Sequence, residues 1–286
     1  MNVANRLRGK SRPVERSVTG ENNRSRATGS CGIAVMAKAS APGRTKTRLV
    51  PPLTFEQAAA LNTAFLRDVA GNLLLAGRPA PIAGYVAFAP AGTEEFFHRT
   101  LPPNIGLIDA CLPNLGDCLL RTIEEIFTRG HASAVVLNSD SPTLPTALLI
   151  EAADALTSSG GRAVLGPSTD GGYYLLGLKT AHRRLFEGIA WGTERVAAQT
   201  LERARELKLE VHMLPAWYDI DDVEGLRRLH RELRAARGGE PGLDPHTHPH
   251  TQHYPAATAI LMRSLAPGAL AGSRQEGDPQ IPLGSA

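Results

Sequence analysis

Short, continuous runs of apolar residues alternate along this chain with segments whose apolar residues recur at helical intervals. The runs cover residues 31–37, 82–89, 105–109, 133–140, 162–167 and 172–178. Strands that are apolar on both faces and separated by helices are typical of a parallel sheet covered by helices on both sides. The sequence therefore predicts an α/β fold with a mostly parallel central sheet, in which ligands bind beyond the carboxyl ends of the strands.

The helical segments carry recognisable start and stop signals. Thr54 and Gln57 have the spacing of a capping box, and the apolar pattern that follows them ends near Gly77. Further helices are predicted near residues 93–99, 115–127, 193–207 and 223–237, and another from residue 145.

Composition divides the chain into a basic leader (1–29), a foldable domain (30–238) and a tail (239–286). Seven cations against two acids give residues 1–28 a charge of +5, which leaves −2 for the rest of a chain whose net charge is +3. We expect the leader to be disordered. The tail is rich in Pro, Gly and His, so its composition favours a solvated, disordered segment over an adventitious metal site at its histidines, His246, His248, His250 and His253.

Charge and cysteine usage exclude several classes of function. Because the chain beyond residue 28 is slightly acidic, nucleic acid is not expected as a partner. Three cysteines without C-x-x-C spacing indicate neither a disulfide framework nor a zinc site, and they favour a reducing, cytoplasmic setting. No apolar stretch is long enough to span a bilayer, so no membrane partner is expected.

A strongly basic loop, "KASAPGRTKTR" (38–48), follows the first apolar run. It does not fit the Walker A pattern, and no G-x-G-x-x-G follows the run either. The alternatives are a solvated surface loop and a phosphate site. In the second, a turn at Pro42-Gly43 brings backbone N–H groups close to a di- or triphosphate. Cations neutralise that ligand, and the loop supplies four: Lys38, Arg44, Lys46 and Arg48.

Asp140 ends the fourth apolar run, in "VVLNSDSPTLP". A carboxylate held there faces the crevice, and Mg²⁺ is commonly bound by one or two carboxylates together with substrate phosphates. The alternative is that Asp140 or Ser141 caps the next helix.

Two further acidic motifs are "TDGGYYLLG" (169–177) and "WYDID" (217–221). Asp170-Gly171 is also a strong turn signal. Asp219 and Asp221 would share one face if their segment were a strand, and a nearby cation would relieve their repulsion. The alternative is that Asp221 or Asp222 caps the last helix.

Five motifs resemble one family when they are read in order: "AVMAKASAPGRTKTRLVPPL", "NSDSPTLP", "LGPSTDGGYYLLGL", "IAWGTERV" and "WYDIDDVEGL". They are similar to the GT-A-type transferase 1 family of radical-SAM/selenodomain-associated operons, also called arsenosugar-biosynthesis glycosyltransferases. That family is itself similar to 2-phospho-lactate guanylyltransferases and molybdenum-cofactor guanylyltransferases. The resemblance implies a GT-A-like (nucleotide-diphospho-sugar transferase) three-layer α/β/α fold over residues 33–229.

The resemblance also implies roles for particular residues. The loop from Lys38 to Arg48 would hold the phosphates of a nucleotide sugar or nucleoside triphosphate. Asp140 and Asp221, with Asp219 as a substitute ligand, would bind Mg²⁺ or Mn²⁺. Five residues would line the side of a small-molecule acceptor: Gly171, Gly172, Tyr173, Trp191 and Thr193. The chain departs from its relatives at Gly116-Asp117-Cys118, where Gly-Glu-Arg is common, so an Arg contact is expected to be lost.

This arrangement serves two reactions. Attack on the anomeric carbon of a nucleotide sugar makes the protein a glycosyltransferase, which is the first expectation, with Asp170 as general base for a hydroxyl acceptor. Attack by an acceptor phosphate on the α-phosphorus makes it a nucleotidyltransferase, and no base is then needed. A third alternative is a catalytically inactive nucleotide-binding protein.

Overall fold

The centre of the molecule is a seven-stranded sheet. The structure is a computed structural model that describes residues 29–235 and 253–265. The strands are β1 (Cys31–Lys38), β2 (Ile82–Ala89), β3 (Gly106–Asp109), β4 (Ser133–Leu137), β5 (Arg162–Pro167), β6 (Tyr173–Leu178) and β7 (Glu210–Met213). Their order is β3-β2-β1-β4-β6-β5-β7, and every neighbouring pair is parallel except the two that involve β6. The prediction of a mostly parallel sheet is confirmed.

Strand β6 runs against its neighbours because it follows β5 through a short turn. Within that turn the N–H of Ser168 donates to the carbonyl of Gly172 at 3.0 Å, and the N–H of Gly171 donates to Ser168 at 3.2 Å. A connection this short joins antiparallel strands, whereas parallel ones need a long crossover. Leu137, the last residue of β4, pairs with Leu175 of β6. The turn therefore lies at the carboxyl end of β4.

Helices cover both faces of the sheet. In chain order they are α1 (Phe55–Ala76), α2 (Glu94–Thr100), α3 (Leu115–Thr128), α4 (Thr146–Ala155), α5 (Val196–Glu206), α6 (Val223–Ala235) and α7 (Ala256–Ser264). The side chain of Val35 packs in a core cluster with α1 and α4, while its neighbour Ala34 packs in a second cluster with α3 and α5. Successive residues of β1 thus face opposite layers, which is why the strand is apolar throughout.

The predicted capping box at the start of α1 is present. Thr54 Oγ1 accepts the N–H of Gln57 at 3.2 Å, and Gln57 Oε1 accepts the N–H of Thr54 at 2.9 Å. The two bonds satisfy two backbone donors that a helix start leaves free. The start of α1 is thereby fixed at Thr54.

A third apolar cluster joins the basic loop to the C-terminal helices. It includes Leu49, which directly follows the loop, Phe65 of α1, Ile220, Leu229 of α6 and Met262 of α7. The expectation of a disordered tail is therefore wrong for residues 253–265, and His253 is buried rather than solvated. The sequence pattern missed α7 because this short helix is stabilised by packing against the domain and not by its own propensity.

The remaining predictions about the termini concern residues outside the described ranges. These are the leader up to residue 28, most of the tail, and the histidines His246, His248 and His250. Within the described ranges, no helix combines the length and apolar character needed to cross a membrane.

Candidate active site

A cavity of about 610 Å³ opens at the carboxyl ends of β1 and β4. Most residues predicted for the site contribute to its wall: Lys38, Arg44, Lys46, Arg48, Asp140, Asp170, Gly172, Tyr173, Trp191, Thr193 and Asp221. Four predicted residues do not line it: Pro42, Gly43, Gly171 and Asp219. Motifs from five parts of the chain therefore converge on one crevice. Its size suits a small molecule or a nucleotide.

The basic loop is shaped by a tight turn. The N–H groups of Arg44 and Thr45 donate to the carbonyl of Ala41 at 3.1 and 3.2 Å, and Gly43 has a φ of +71°, which glycine adopts without strain. These two N–H groups are consequently engaged inside the loop. Pro42 and Gly43 shape the turn from its exposed side, and the cavity is reached by the side chains that follow them.

Lys46 differs from the other loop cations, because its side chain is only 5% exposed. Its Nζ lies 2.8 Å from Asp140 Oδ1, 2.9 Å from Asp221 Oδ1 and 2.8 Å from the carbonyl oxygen of Ile220. Burial alone lowers the pKa of this ammonium, but the attraction of the two carboxylates outweighs burial and the pKa is raised. Lys46 is therefore a charged group at the base of the cavity.

Asp140 reaches the cavity from the end of β4. The N–H of Ile220 donates to its backbone carbonyl at 2.9 Å, and Ser139 Oγ donates to its Oδ1 at 3.2 Å. The capping alternative for Asp140 and Ser141 is wrong, because α4 begins at Thr146 and Ser141 Oγ donates to the carbonyl of Tyr218. These bonds fasten the segment before α6 to the end of β4.

Asp219 and Asp221 do not lie on a regular strand, so the condition under which they would share one face is not met. Their segment forms a single bridge, between Ser168 and Trp217, and Asp221 lines the cavity while Asp219 does not. Burial, followed by repulsion from Asp170 and Asp221, raises the pKa of Asp219 to about 6. The cap of α6 is Asp222, whose Oδ1 accepts the N–H of Gly225 at 2.8 Å.

The donor set at Asp140 and Asp221 fits a divalent cation. Each carboxylate places one oxygen within 2.9 Å of a single positive charge, the Lys46 ammonium. Within the described ranges no group of three or more His, Cys, Asp and Glu side chains is placed to hold a metal ion. Two carboxylates completed by substrate phosphates are the arrangement that Mg²⁺ commonly uses, so a full protein cage is not required.

Asp170 stands at the turn between β5 and β6. Its Oδ1 accepts the N–H of Gly172 at 2.9 Å. Gly171 has a φ of +90°, and a Cβ there would lie 2.2 Å from the carbonyl oxygen of Glu194, so only glycine fits. The carbonyl of Gly171 also accepts the N–H of Ala197 at 3.0 Å. The turn is thus held against the start of α5, and Asp170 has a fixed place in the wall.

The opposite wall is apolar and was only partly predicted. The rings of Trp191 and Tyr173 meet edge to face with centroids 6.5 Å apart. The Tyr173 hydroxyl is buried and, among the described residues, has no hydrogen-bond partner. Leu115, Cys118 and Leu119 of α3 complete this wall. Cys118, at the position where the resemblance implied a lost Arg contact, thus lines the cavity, and its Sγ donates to the carbonyl of Leu112 at 3.5 Å.

The sequence did not predict several polar residues of the wall, among them Asn62 and Asn138. Asn62 of α1 is 6% exposed, and its Nδ2 donates to Ser40 Oγ at 2.9 Å. Asn138 follows β4, and its Nδ2 donates to Ser141 Oγ at 3.2 Å. An asparagine within the apolar stripe of a helix was the available signal for Asn62, because buried polar side chains need partners.

The chain matches a protein-family model in its middle part and a solved structure over most of its length. Residues 74–193 match the model of a family described as uncharacterized proteins conserved in bacteria (DUF2064). The chain shares 29% identity and a TM-score of 0.68 with a crystal structure from Desulfovibrio desulfuricans G20, provisionally described as a nucleotide-diphospho-sugar transferase. The match covers 83% of this chain and 95% of that one. The predicted three-layer α/β/α fold is thereby confirmed.

Weaker likenesses have TM-scores under 0.5. One is a CMP:2-keto-3-deoxy-manno-octonic acid synthetase in complex with CTP, at 12% identity and a TM-score of 0.47, covering 73% of this chain and 99% of that one. Another is the Mycobacterium tuberculosis glucosyl-3-phosphoglycerate synthase with Mn²⁺ and UDP, at 13% identity and 0.45, covering 82% and 88%. Comparison with curated protein sequences gives no match.

Proposed function

We propose that this protein is a metal-dependent transferase that moves a sugar from a nucleotide sugar to a small-molecule acceptor. The observation that carries the proposal is the convergence, in one cavity, of the basic loop, the Asp140–Asp221 pair and Asp170. The provisional description of the Desulfovibrio desulfuricans relative supports the same class of donor.

The charges of the cavity match a diphosphate bound together with a cation. Lys38, Arg44 and Arg48 are cations of one loop that face the cavity, and guanidinium groups bind phosphate oxygens in a bidentate manner. Asp140 and Asp221 would hold Mg²⁺ or Mn²⁺. When bound, such an ion supplies Lewis-acid stabilisation of the charge that develops on a leaving diphosphate.

The chain's own residues account for the remaining requirements of glycosyl transfer. The acceptor oxygen forms a bond to the anomeric carbon, the bond from that carbon to the diphosphate oxygen breaks, and the nucleoside diphosphate leaves. Asp170 takes the proton of the acceptor hydroxyl. In the described part of the molecule its Oδ2 has no hydrogen-bond partner, so this oxygen is available to a substrate. The apolar wall around Trp191 excludes water from the reacting atoms.

Asp170 is also the reason for preferring glycosyl over nucleotidyl transfer. A hydroxyl acceptor must lose a proton, and a carboxylate placed in the cavity wall serves as its base. A phosphate acceptor is already ionised and needs no such group.

A thermal-shift panel tests the proposal. Purified protein is heated with UDP-glucose, UDP-N-acetylglucosamine, GDP-mannose, UTP, CTP or GTP, each with and without Mg²⁺ or Mn²⁺. A ligand present at about 100 times its Kd stabilises the folded state by about 2.7 kcal/mol. We expect the largest stabilisation with one sugar nucleotide in the presence of metal, and its loss in Asp140→Asn.

The matched control is Asp154→Asn, an exposed acid of α4 that is not part of the cavity wall. It should respond as the natural chain does. A preference for triphosphates would indicate nucleotidyl transfer instead. If binding ignores both metal and Asp140, the proposed function is wrong.

A further inference from the structure

Three oxygen atoms of the protein surround the ammonium of Lys46. Its Nζ donates to Asp221 Oδ1 and to the carbonyl oxygen of Ile220, and it forms an ion pair with Asp140 Oδ1 at 2.8 Å. An ammonium has three donors and no acceptor. In this state the charge of Lys46 is therefore directed at the protein's own oxygen atoms.

The surroundings of Lys46 hold it in this position. Its Nζ lies 5.4 Å from the centre of the Phe65 ring, and its backbone has a φ of 51°, in the left-handed region. Lys38, Arg44 and Arg48 line the same cavity but are exposed. Of the four cations in this loop, Lys46 is the one that forms ion pairs with carboxylates in the described part of the protein.

The oxygens that hold Lys46 are those that a metal ion would need. A divalent cation bound by Asp140 and Asp221 would lie among the same oxygen atoms as the ammonium. Positive charges a few ångström apart repel strongly when they are shielded from water. The ammonium and the metal ion are therefore competitors for one place.

We propose that Lys46 is an exchangeable counter-ion that keeps metal affinity low until the phosphates of the donor bind. This inference rests on the proposed function for the metal ion at Asp140 and Asp221 and for the identity of those phosphates. Once displaced, the flexible lysine side chain can turn toward the phosphate side of the cavity, where Arg44 and Arg48 lie. Metal and nucleotide then bind cooperatively, and by linkage each raises the affinity for the other by the same factor.

The test measures Mn²⁺ binding to the full chain without nucleotide, by electron paramagnetic resonance of the free ion. We expect Lys46→Met to bind Mn²⁺ at least about tenfold more tightly than the natural chain, equivalent to about 1.4 kcal/mol. Arg205→Met removes a positive charge from an exposed position of α5 outside the cavity, and its Mn²⁺ affinity should change less than about twofold. Adding Asp140→Asn to Lys46→Met should abolish the gain, which locates the ion.

A purely structural role for Lys46 predicts the opposite result, because loss of the ammonium would then loosen the carboxylate pair and weaken Mn²⁺ binding. Equal or weaker binding by a folded Lys46→Met protein overturns the proposal. If that variant does not fold, Lys46→Gln, which removes the charge but keeps a hydrogen-bond donor, replaces it in the same comparison.

A second arm uses UDP and GDP as probes. Either nucleotide that binds should raise the Mn²⁺ affinity of the natural chain more than that of Lys46→Met, and equal increases in the two proteins contradict the exchange. If neither nucleotide binds, the proposed function fails, while the nucleotide-free comparison still decides the role of Lys46.

Discussion

The carboxylate of Asp68, on α1, accepts the backbone N–H of Thr258, in the first turn of α7, at 2.7 Å. Its second oxygen accepts the N–H of Ala257 at 2.9 Å. Two donors that the start of a helix leaves without partners are thus satisfied by a side chain almost 190 residues away. Burial raises the pKa of Asp68, although these hydrogen bonds oppose that rise. The contact attaches the C-terminal helix to the domain.

Replacing Asp68 by Ala should detach α7. We expect the free energy of unfolding to fall by about 1–2 kcal/mol, as for loss of a helix cap. Urea unfolding gives the magnitude, and faster hydrogen exchange at residues 256–264 gives the location. Glu202→Ala, at an exposed position of α5, serves as the control and should change neither. Unchanged exchange in α7 of the Asp68 variant would show that apolar packing alone holds the helix.

The buried imidazole of His253 should make stability depend on pH. Burial lowers its pKa from 6.5 to about 4, so the folded protein holds it neutral while the unfolded chain protonates it. Its contribution to stability is fully present above pH 6.5 and is lost as the pH falls toward 4. At pH 5 the loss is about 2 kcal/mol.

The measurement is urea unfolding at pH 7 and pH 5, for the natural chain and for His253→Phe. The variant keeps an apolar ring of similar size but cannot be protonated, so we expect it to lose about 2 kcal/mol less between the two pH values. His98→Phe, at an exposed position of α2, should behave as the natural chain does. The same pH dependence in all three proteins would rule out His253 as its source.

A methyl group at Gly116 should disturb the apolar wall of the cavity. A Cβ there would lie 3.0 Å from the carbonyl oxygen of Phe186 and 3.1 Å from Trp191 Nε1. We expect Gly116→Ala to destabilise the protein by about 1 kcal/mol through overcrowding and to shift the tryptophan fluorescence. Gly71→Ala, in α1, meets no atom within 4 Å and should instead stabilise by about 0.5–1 kcal/mol. A stabilised Gly116→Ala would mean that Trp191 moves without cost.

Asp170→Asn should lower the catalytic rate and leave nucleotide binding intact. Asparagine can still accept the N–H of Gly172, so the turn and the metal-dependent stabilisation by nucleotide should persist. We expect kcat for hydrolysis of the bound sugar nucleotide, with water as acceptor, to fall about 10²-fold or more, because the base is lost. Release of nucleoside diphosphate measures this rate. A variant with undiminished kcat would exclude Asp170 as the base.

The sheet and most helices were predictable because their signals are local. The capping box at Thr54 and the uninterrupted apolar character of β1 and β4 each specify one element without reference to the rest of the chain. Helix α7 was missed because its stability depends on Asp68, on the distant helix α1. Ligands bind beyond the carboxyl ends of parallel strands, and the position of the cavity was predicted from this rule. Most predicted residues therefore line one cavity.

What the sequence could not distinguish was the role of each loop cation. Lys38, Arg44, Lys46 and Arg48 are equivalent positive charges when read in order, and burial separates Lys46 from the others only after the fold brings Asp221 beside it. The backbone conformation of the segment with Asp219 and Asp221 was not predictable either. An alternating acidic pattern fits both a strand and an irregular segment held by single contacts, such as the Ser168–Trp217 bridge.

The hydrogen bond from Lys46 to Asp221 spans 175 positions of the chain, and the bond from Lys46 to Ile220 spans 174. A ribosome-bound chain that ends before residue 219 already contains the basic loop and Asp140, but it lacks the partners that place them. The charged centre of the cavity thus forms only after residues 220 and 221 have been synthesised and meet the basic loop. A chain that ends earlier contains the loop cations without the arrangement that the proposed function requires, so the proposed activity depends on completion of the fold.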